Sequence, residues 1–303
     1  MAKPRPSRLQ DLLWRLEAVG FDLFTALMRA LPVDAASAAG GWLLKTLGPL
    51  TGTHKTAARN LMLAFPDKDR VWHDRVLAAQ WESTGRAFAE FPIMDRLRPS
   101  TGRVEVVNGE RLEQIAREGR AVVFISGHFS NWEVMPATIV ESGVTCLMTY
   151  RAANNPYVDR RIKEGRFRYG VRLFAPKGDS ARELMEAMGR GESIALMNDQ
   201  KFNQGLAGTF FGHPVHTAPG PTRLALKFAT VLQPMSVQRT RGARFRVIVH
   251  DPIELEVTGD RAADIEAGVR RVNAFMEERV RERPEEWFWV HKRWANEAYA
   301  GLA

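Results

Sequence analysis

The chain has 303 residues, 45% of them hydrophobic, which is enough for a sizeable core in one large or two modest domains. Its net charge of +8 indicates an acidic partner: nucleic acid, an anionic membrane surface or an acidic protein. The single cysteine, Cys146, excludes an internal disulfide framework, and its place in an apolar run is typical of a small core residue in a reducing compartment.

Residues 1–100 are predicted to be helical, with helices near 9–30, 35–47, 53–64 and 69–95. Pro32, Gly48-Pro49 and Phe65-Pro66 separate these helices. We expect this N-terminal region to be membrane-associated and to form one continuous structural unit with residues 101–303.

The first predicted helix has apolar residues at helical spacing, interrupted by charged ones. The apolar positions are Leu9, Leu12, Leu13, Leu16, Val19 and Leu23. The run falls short of the roughly 18 to 20 apolar residues of a spanning helix, and we see no secretory signal. The pattern suits a helix lying on a membrane, with Lys3, Arg5 and Arg8 near anionic headgroups. An ordinary amphipathic helix packed on the protein would show the same spacing.

After residue 103, short β-rich runs alternate with helical patterns. Strands are predicted at 104–107, 121–125, 144–150, 171–174, 194–197, 235–239 and 245–250, with helices between most of them. Residues 201–222 are expected to form a long functional loop. This alternation predicts an α/β fold with a largely parallel central sheet flanked by helices, preceded by the helical N-terminal region.

The stretch from Ala121 to Met135 is the strongest candidate for chemistry, because polar residues follow a buried strand there. Ligands bind at such carboxyl edges of open α/β sheets. Asn131 can cap a helix that starts at Trp132, which would put Glu133 in the first turn. We expect the carboxylate of Glu133 to hold one ring nitrogen of His128 and leave the other free as a base. The alternative is a loop histidine bonded to backbone and a glutamate that serves only the helix dipole.

Two further features belong to the same predicted edge. Asp199 ends a strand that the alternation makes parallel to the one before His128, although an aspartate at a strand end often only caps a turn. Arg151, Arg166 and Arg168 lie in a dense basic segment that suits an anion clamp, since the planar guanidinium binds anions bidentately. A solvated helix face is the alternative for these arginines.

Several enzyme signatures are missing from the sequence. It has no G-x-S-x-G elbow, no G-x-x-x-x-G-K-[ST] loop and no G-x-G-x-x-G that opens a helix, which argues against serine hydrolases and nucleotide-binding proteins. Nucleic acid is disfavoured as a partner because the arginines lack the interleaved aromatic residues of a stacking platform.

The motif from His128 to Glu133 resembles the H-x-x-x-x-[D/E] motif of the glycerolipid acyltransferase superfamily. A series of further motifs follows it in order: Tyr150-Arg151, Asn155-Pro156, GRFR at 165–168, Asp199-Gln200, FFG at 210–212 with Thr217, and WFWVHKRW at 287–294. Together they resemble the bacterial lipid A late acyltransferases, the lauroyl and myristoyl transferases, over roughly residues 5 to 298.

The resemblance implies an enzyme at the cytoplasmic face of the inner membrane, peripheral or with one N-terminal anchor. It would move a fatty acyl chain from acyl carrier protein to a hydroxyl of an anionic lipid A precursor, without a metal, another cofactor, a covalent intermediate or nucleic acid. By this likeness His128 is the general base and Glu133 orients it, while Arg166, Arg168, Arg151 and Asp199 shape the substrate site.

The sequence departs from the family pattern at two places. Charged residues interrupt the N-terminal helix, and Asp199-Gln200-Lys201 lacks a second acidic residue that some members carry. Two other functions therefore stay open: an acyltransferase that acts on another phospholipid or glycolipid with acyl-CoA, and a non-catalytic basic protein of the membrane surface. We expect chain length to depend on how Phe210, Phe211 and Met135 pack.

Overall fold

A computed structural model describes residues 6–176 and 181–300, so Lys3 and Arg5 of the proposed headgroup contacts lie outside the described residues. The N-terminal region is helical as predicted. Its helices are α1 (Arg8–Ala30), α2 (Val33–Leu47), α3 (Gly52–Ala64) and α4 (Arg70–Glu90). The predicted fourth helix ended at residue 95, but α4 ends at Glu90 and a 3₁₀ segment continues from Phe91 to Arg96. Pro92 accounts for this change, since proline lacks the N–H that an α-helix requires.

Helices α2 and α4 pack closely through two glycines. A Cβ atom added at Gly85 would lie 2.1 Å from the carbonyl oxygen of Gly40, so only glycine permits this approach of the two backbones. The opposite faces of α1 and α2 expose large apolar side chains to solvent. They include Leu9, Leu12, Leu16, Leu23 and Leu27 on α1, and Trp42, Leu43 and Leu47 on α2.

Among the described residues, no helix is both long and apolar enough to cross a membrane.

The remainder is an α/β fold, as predicted. Its elements are β1 (Val104–Val107), α5 (Glu110–Glu118), β2 (Val123–Ser126), α6 (Val134–Glu141), β3 (Cys146–Tyr150), α7 (Pro156–Phe167), β4 (Phe174–Pro176), α8 (Ala181–Gly189), β5 (Ser193–Met197), β6 (Leu206–Phe210), β7 (His213–Thr217), α9 (Gly220–Lys227), β8 (Leu232–Arg241), β9 (Arg244–Val249) and α10 (Arg261–Glu282). The main sheet has the strand order β1-β9-β8-β2-β5-β3-β4, and every neighbouring pair is parallel except β8 and β9.

The predicted loop at 201–222 is wrong in part, because it contains the antiparallel hairpin of β6 and β7. Phe211 and Gly212 form its turn with positive φ angles of 52° and 74°, the combination that a type I′ hairpin turn requires. The backbone N–H of Phe211 donates to Glu277 of α10 at 2.6 Å, and Thr217 donates to Asn273 at 2.9 Å. The hairpin therefore packs on α10 rather than joining the main sheet.

One buried hydrophobic cluster includes residues of the N-terminal helices and of the sheet, among them Leu61, Met94, Ile125 and Phe245. The C-terminal segment connects the two parts. The buried amide of Asn60 on α3 donates to the carbonyl oxygen of Trp289 at 2.6 Å. The helical region and the α/β region thus share one core, and the C-terminal segment crosses between them.

Candidate active site

The carboxyl edge of the sheet brings together two predicted site residues, His128 and Asp199. Strands β2 and β5 are parallel neighbours in which Ser126 pairs with Met197. His128 and Asp199 each lie two residues beyond that pair, so the register of the sheet sets them side by side. The Nδ1 atom of His128 lies 2.8 Å from Oδ1 of Asp199, and the backbone N–H of His128 donates to Oδ2 at 2.8 Å.

Asp199 is buried and holds its negative charge. Burial alone would raise its pKa, but the positive charge of His128 and the N–H groups around the carboxylate outweigh that effect and hold the pKa well below its usual range. An ionised carboxylate only accepts hydrogen bonds, so the Nδ1 atom of His128 carries a hydrogen, whether the ring is charged or is the neutral form that acts as a base. The lone pair of the other ring nitrogen, Nε2, can then accept a proton.

Glu133 does not hold Nδ1 of His128, which corrects the predicted pairing. Its carboxylate accepts from Nε of Arg166 at 3.0 Å and also from Nη2 of the same side chain. The hydroxyl of Tyr169 donates to it at 2.6 Å. Helix α6 starts at Val134 rather than at the predicted Trp132, so Glu133 occupies the N-cap position instead of the first turn. Its side chain meets the end of α7 and the residues that follow it.

The cluster of Glu133, Arg166 and Tyr169 is charged although it is largely buried. Burial raises the pKa of Glu133, but Arg166 and Tyr169, together with the charge of His128, lower it overall. The ion pair with Glu133 raises the pKa of Arg166 despite the opposing effect of burial. Glu133 ends the loop that carries His128, so Arg166 and Tyr169 contact the same loop as the candidate base.

The three predicted clamp arginines occupy different surroundings. The guanidinium of Arg166 is largely buried, and its Nη1 atom has no hydrogen-bond partner among the residues that the structure describes. Arg151 and Arg168 have exposed side chains. The structure therefore brings Arg166 to Glu133, on the loop that carries His128, and leaves Arg151 and Arg168 on the surface.

Trp287 is a site residue that the sequence analysis did not identify as such. Its indole N–H donates to Oδ2 of Asp199 at 2.9 Å, and both side chains are buried. The next residue, Phe288, donates its backbone N–H to the carbonyl oxygen of His128 at 3.1 Å. The available signal was the tryptophan-rich segment WFWVHKRW, but nothing in its spacing indicates contact with a residue 88 positions earlier.

A narrow opening in the surface reaches His128 and Asp199. Trp287, Phe288 and the exposed Lys292 line it, and its volume is about 210 Å³. The ring of Trp132 packs edge-on against the imidazole, with 5.1 Å between the centroids. Aromatic rings therefore shield part of the histidine. Its other side is open to a reactant, and the basic residue Lys292 lies at the rim of the opening.

A second, apolar cavity of about 390 Å³, including space open to solvent, lies along strands β2, β3 and β5. Ser126 and Met197 end their strands, line this cavity and lie two positions before His128 and Asp199. Ala195, Leu196 and Met197 are only partly buried although their strand is central, whereas central parallel strands are normally covered on both faces. This groove in the sheet is the right kind of surface for a linear apolar chain.

The structure separates the three residues that were expected to control chain length. Met135 lines the apolar cavity together with Met148, Met197 and Met235. Phe210 and Phe211 lie elsewhere, buried against each other with their ring centroids 5.0 Å apart, and Phe210 packs on Trp287 and Trp294. They are not among the residues that line the cavity.

Comparison with known proteins identifies the family. A sequence model described as bacterial lipid A biosynthesis acyltransferase matches residues 19–296. The lipid A biosynthesis palmitoleoyltransferase of Escherichia coli is 23% identical over 243 residues, which cover 78% of this chain and 77% of the relative. The lipid A biosynthesis myristoyltransferase of the same organism is 25% identical over 267 residues, or 82% and 79% of the two chains. The family resemblance of the sequence motifs is thus confirmed, and the chain belongs to the bacterial lipid A biosynthesis acyltransferases.

Proposed function

We propose that the protein transfers a fatty acyl chain from an acyl thioester to a hydroxyl group of a lipid A precursor. The observation that carries the proposal is the His128–Asp199 pair together with an apolar cavity lined by Ser126 and Met197, which lie two positions before these residues on the same strands. Such a transfer requires a base that takes the proton of the attacking hydroxyl and a cavity that binds the hydrocarbon chain. Family membership supplies the class of acceptor.

In the proposed reaction Nε2 of His128 removes the proton of the acceptor hydroxyl as its oxygen attacks the thioester carbonyl. The tetrahedral intermediate collapses to an ester, and the leaving thiolate takes up the proton from His128. Asp199 fixes the tautomer and stabilises the imidazolium that forms. No serine or cysteine of the protein is acylated in this scheme.

Arg166 is the proposed cation for the anionic part of the reaction. Glu133 fixes two of its nitrogens, while the buried Nη1 has no hydrogen-bond partner in the part of the chain that the structure describes. In this proposal the positive charge of the guanidinium stabilises a developing oxyanion or a phosphate of the acceptor. Under this proposal Glu133 acts by holding Arg166, while the carboxylate that orients the base is Asp199. Arg151 and Arg168 would contribute, from the surface, to attraction of anionic partners.

We propose acyl carrier protein as the donor and the cytoplasmic face of the inner membrane as the place of reaction. The net charge of +8 favours an acidic carrier and anionic lipid. The exposed leucines of α1 and the exposed Trp42 of α2 are suited to insertion among headgroups. An acyl-CoA donor and another lipid acceptor are the alternatives that the experiment must separate.

The test is transfer of a radiolabelled acyl chain by the purified full chain. Acyl carrier protein and CoA thioesters are offered in parallel, with a lipid A precursor or phospholipid as acceptor. His128→Ala should lower the rate by at least about 10²-fold, the lower end for general acid–base catalysis. Transfer at the wild-type rate by a folded His128→Ala protein would refute the mechanism, and transfer only to phospholipid would refute the acceptor.

The cavity makes a separate prediction about chain length. Ala195→Phe places an aromatic ring into the groove and should shift donor preference toward shorter chains, because the cavity loses volume. Ala207→Phe is the control, since Ala207 is exposed on β6 and does not line the cavity. An unchanged chain-length profile for Ala195→Phe would show that the acyl chain binds elsewhere.

A further inference from the structure

The loop of residues 127–133 carries His128 and Glu133 and depends on contacts from outside itself. Ser130 within it has a positive φ of 46°, a conformation that is costly for a residue other than glycine. Its backbone N–H donates to the carbonyl oxygen of Glu286 at 2.7 Å. Such a loop keeps one conformation only if its surroundings hold it, so its anchors bear on the geometry of the site.

Glu90, the last residue of α4, is one residue that holds this loop from outside, through a hydrogen bond from Asn131. It is fully buried, with 0% exposure. One of its oxygens accepts from Ser37 of α2 at 2.6 Å and from Arg239 of β8 at 2.5 Å. The other accepts from Arg239 and from the amide of Asn131, both at 2.9 Å. A buried carboxylate with four hydrogen bonds, two of them from a guanidinium, is well compensated and rigid.

Asn131 transmits this rigidity to the loop. Its side chain is buried, with 1% exposure, and its amide N–H₂ group donates to Glu90. Its amide oxygen accepts the backbone N–H of Glu133 at 3.2 Å. The side chain of Asn131 therefore connects the buried carboxylate of Glu90 with Glu133, the residue that holds Arg166.

We propose that Glu90 is a positioning residue of the acyl transfer. Through Asn131 it fixes the loop of residues 127–133, and hence the placement of His128 and of the Glu133–Arg166 pair relative to the cavity. This inference rests on the proposed function. It assigns Glu90 no contact with substrate, and the sequence motifs give no indication of it, since Glu90 lies 38 residues before His128.

Two neighbours of Glu90 provide a matched comparison. Ser37 and Asn131 are both buried, neutral donors to its carboxylate, but Ser37 lies on α2 and Asn131 lies in the loop. If Glu90 only stabilised the fold, loss of either donor would lower the melting temperature and leave the turnover of the folded enzyme unchanged. If Glu90 positions the loop, only loss of the Asn131 bond should reduce turnover.

The experiment compares Asn131→Leu with Ser37→Ala in the full chain, at temperatures well below both melting transitions. We expect Asn131→Leu to lower kcat about 10- to 100-fold, as small misplacements of catalytic groups do, with the KM for the acyl donor nearly unchanged. Ser37→Ala should keep the wild-type kcat. Asn131→Ser is measured alongside, because its shorter side chain loses the bond to Glu90 while its hydroxyl can still accept the backbone N–H of Glu133, so a lower kcat in this variant reports the loss of the Glu90 bond.

Hydrogen exchange supplies a readout that does not depend on the reaction. In the Asn131 variants the amides of residues 127–133 should exchange faster, while those of β5 keep their wild-type rates. Faster exchange with an unchanged kcat would overturn the positioning role and leave the proposed function standing. Equal losses of kcat in Ser37→Ala and Asn131→Leu would overturn it as well. Absence of acyl transfer by the wild type would instead refute the proposed function.

Discussion

The substitution Asp199→Asn tests which carboxylate orients the base. In the structure Oδ2 of Asp199 accepts two N–H groups, the backbone of His128 and the indole of Trp287. Among the described residues, the hydrogen-bond partner of Oδ1 is Nδ1 of His128. An asparagine must place its oxygen where the two donors converge, so its N–H₂ group faces Nδ1. Nδ1 then has to accept a hydrogen bond, and the proton of the neutral ring moves to Nε2.

The consequence is a base in the wrong tautomer with nearly unchanged packing. Nε2 can no longer take the proton of the acceptor hydroxyl, so the rate should fall by about 10²- to 10⁴-fold. Stability should change little, because the amide still makes three hydrogen bonds. Rates of acyl transfer at saturating donor and acceptor, with thermal melts of each protein, measure the two effects separately.

Two variants sharpen the comparison. Asp251→Asn makes the same chemical change at an exposed carboxylate paired with Arg111, and it should leave the rate unchanged. Glu133→Gln weakens the hold on Arg166 without changing the tautomer of His128, so it should cost less than Asp199→Asn. If Asp199→Asn kept the wild-type rate while Glu133→Gln abolished transfer, the pairing that the sequence alone predicts would be correct and the structural argument wrong.

Three further predictions concern stability and membrane binding. Gly85→Ala should lower the free energy of unfolding by about 1–3 kcal/mol through overpacking against α2. The control is Gly20→Ala, where the added Cβ would meet no described residue outside its own stretch of helix within 4 Å; it should be neutral or stabilising by up to about 1 kcal/mol. Leu16→Glu on the exposed face of α1 should weaken binding to anionic vesicles at least about 10-fold in sedimentation assays, whereas equal loss with the exposed Val257→Glu would contradict a role for that face. Burial raises the pKa of Glu286 from 4.5 to about 7, so its contribution to stability is complete below pH 4.5 and declines as the pH rises to 7. Denaturant unfolding of Glu286→Gln should lack this decline, which is at most about 3 kcal/mol, and an identical pH profile in both proteins would contradict it.

The sequence was sufficient to predict the fold class and the edge of the sheet where the polar residues gather. Period and length of the apolar runs identify strands such as β2 and β5, and the residues after them emerge at the carboxyl edge of a parallel sheet. His128 and Asp199 were therefore expected at one edge. Their adjacency follows from the strand order of the sheet. Strand β5 pairs directly with β2, although β3 and β4 come between them in the chain.

Local spacing could not predict the partner of the imidazole for the same reason. Glu133 is five residues from His128 and Asp199 is 71 residues away, so sequence proximity favoured Glu133. The decisive facts are long-range: the pairing of β2 with β5, and the position of Arg166, which meets Glu133 from α7. The hairpin of β6 and β7 escaped prediction because its turn uses Phe211, a residue seldom found at positive φ.

The pairing of β2 with β5, which sets His128 beside Asp199, has a consequence for how substrate specificity can change. The distance between His128 and Asp199 is set by hydrogen bonds of neighbouring strands and needs no substrate to establish it. The surfaces that would select a substrate lie apart from this framework, in the side chains of the groove and in the rim around Lys292. Under the proposed function, substitutions there would alter which chain or acceptor is used while His128 and Asp199 keep their geometry, so a change of specificity need not disturb the proposed base.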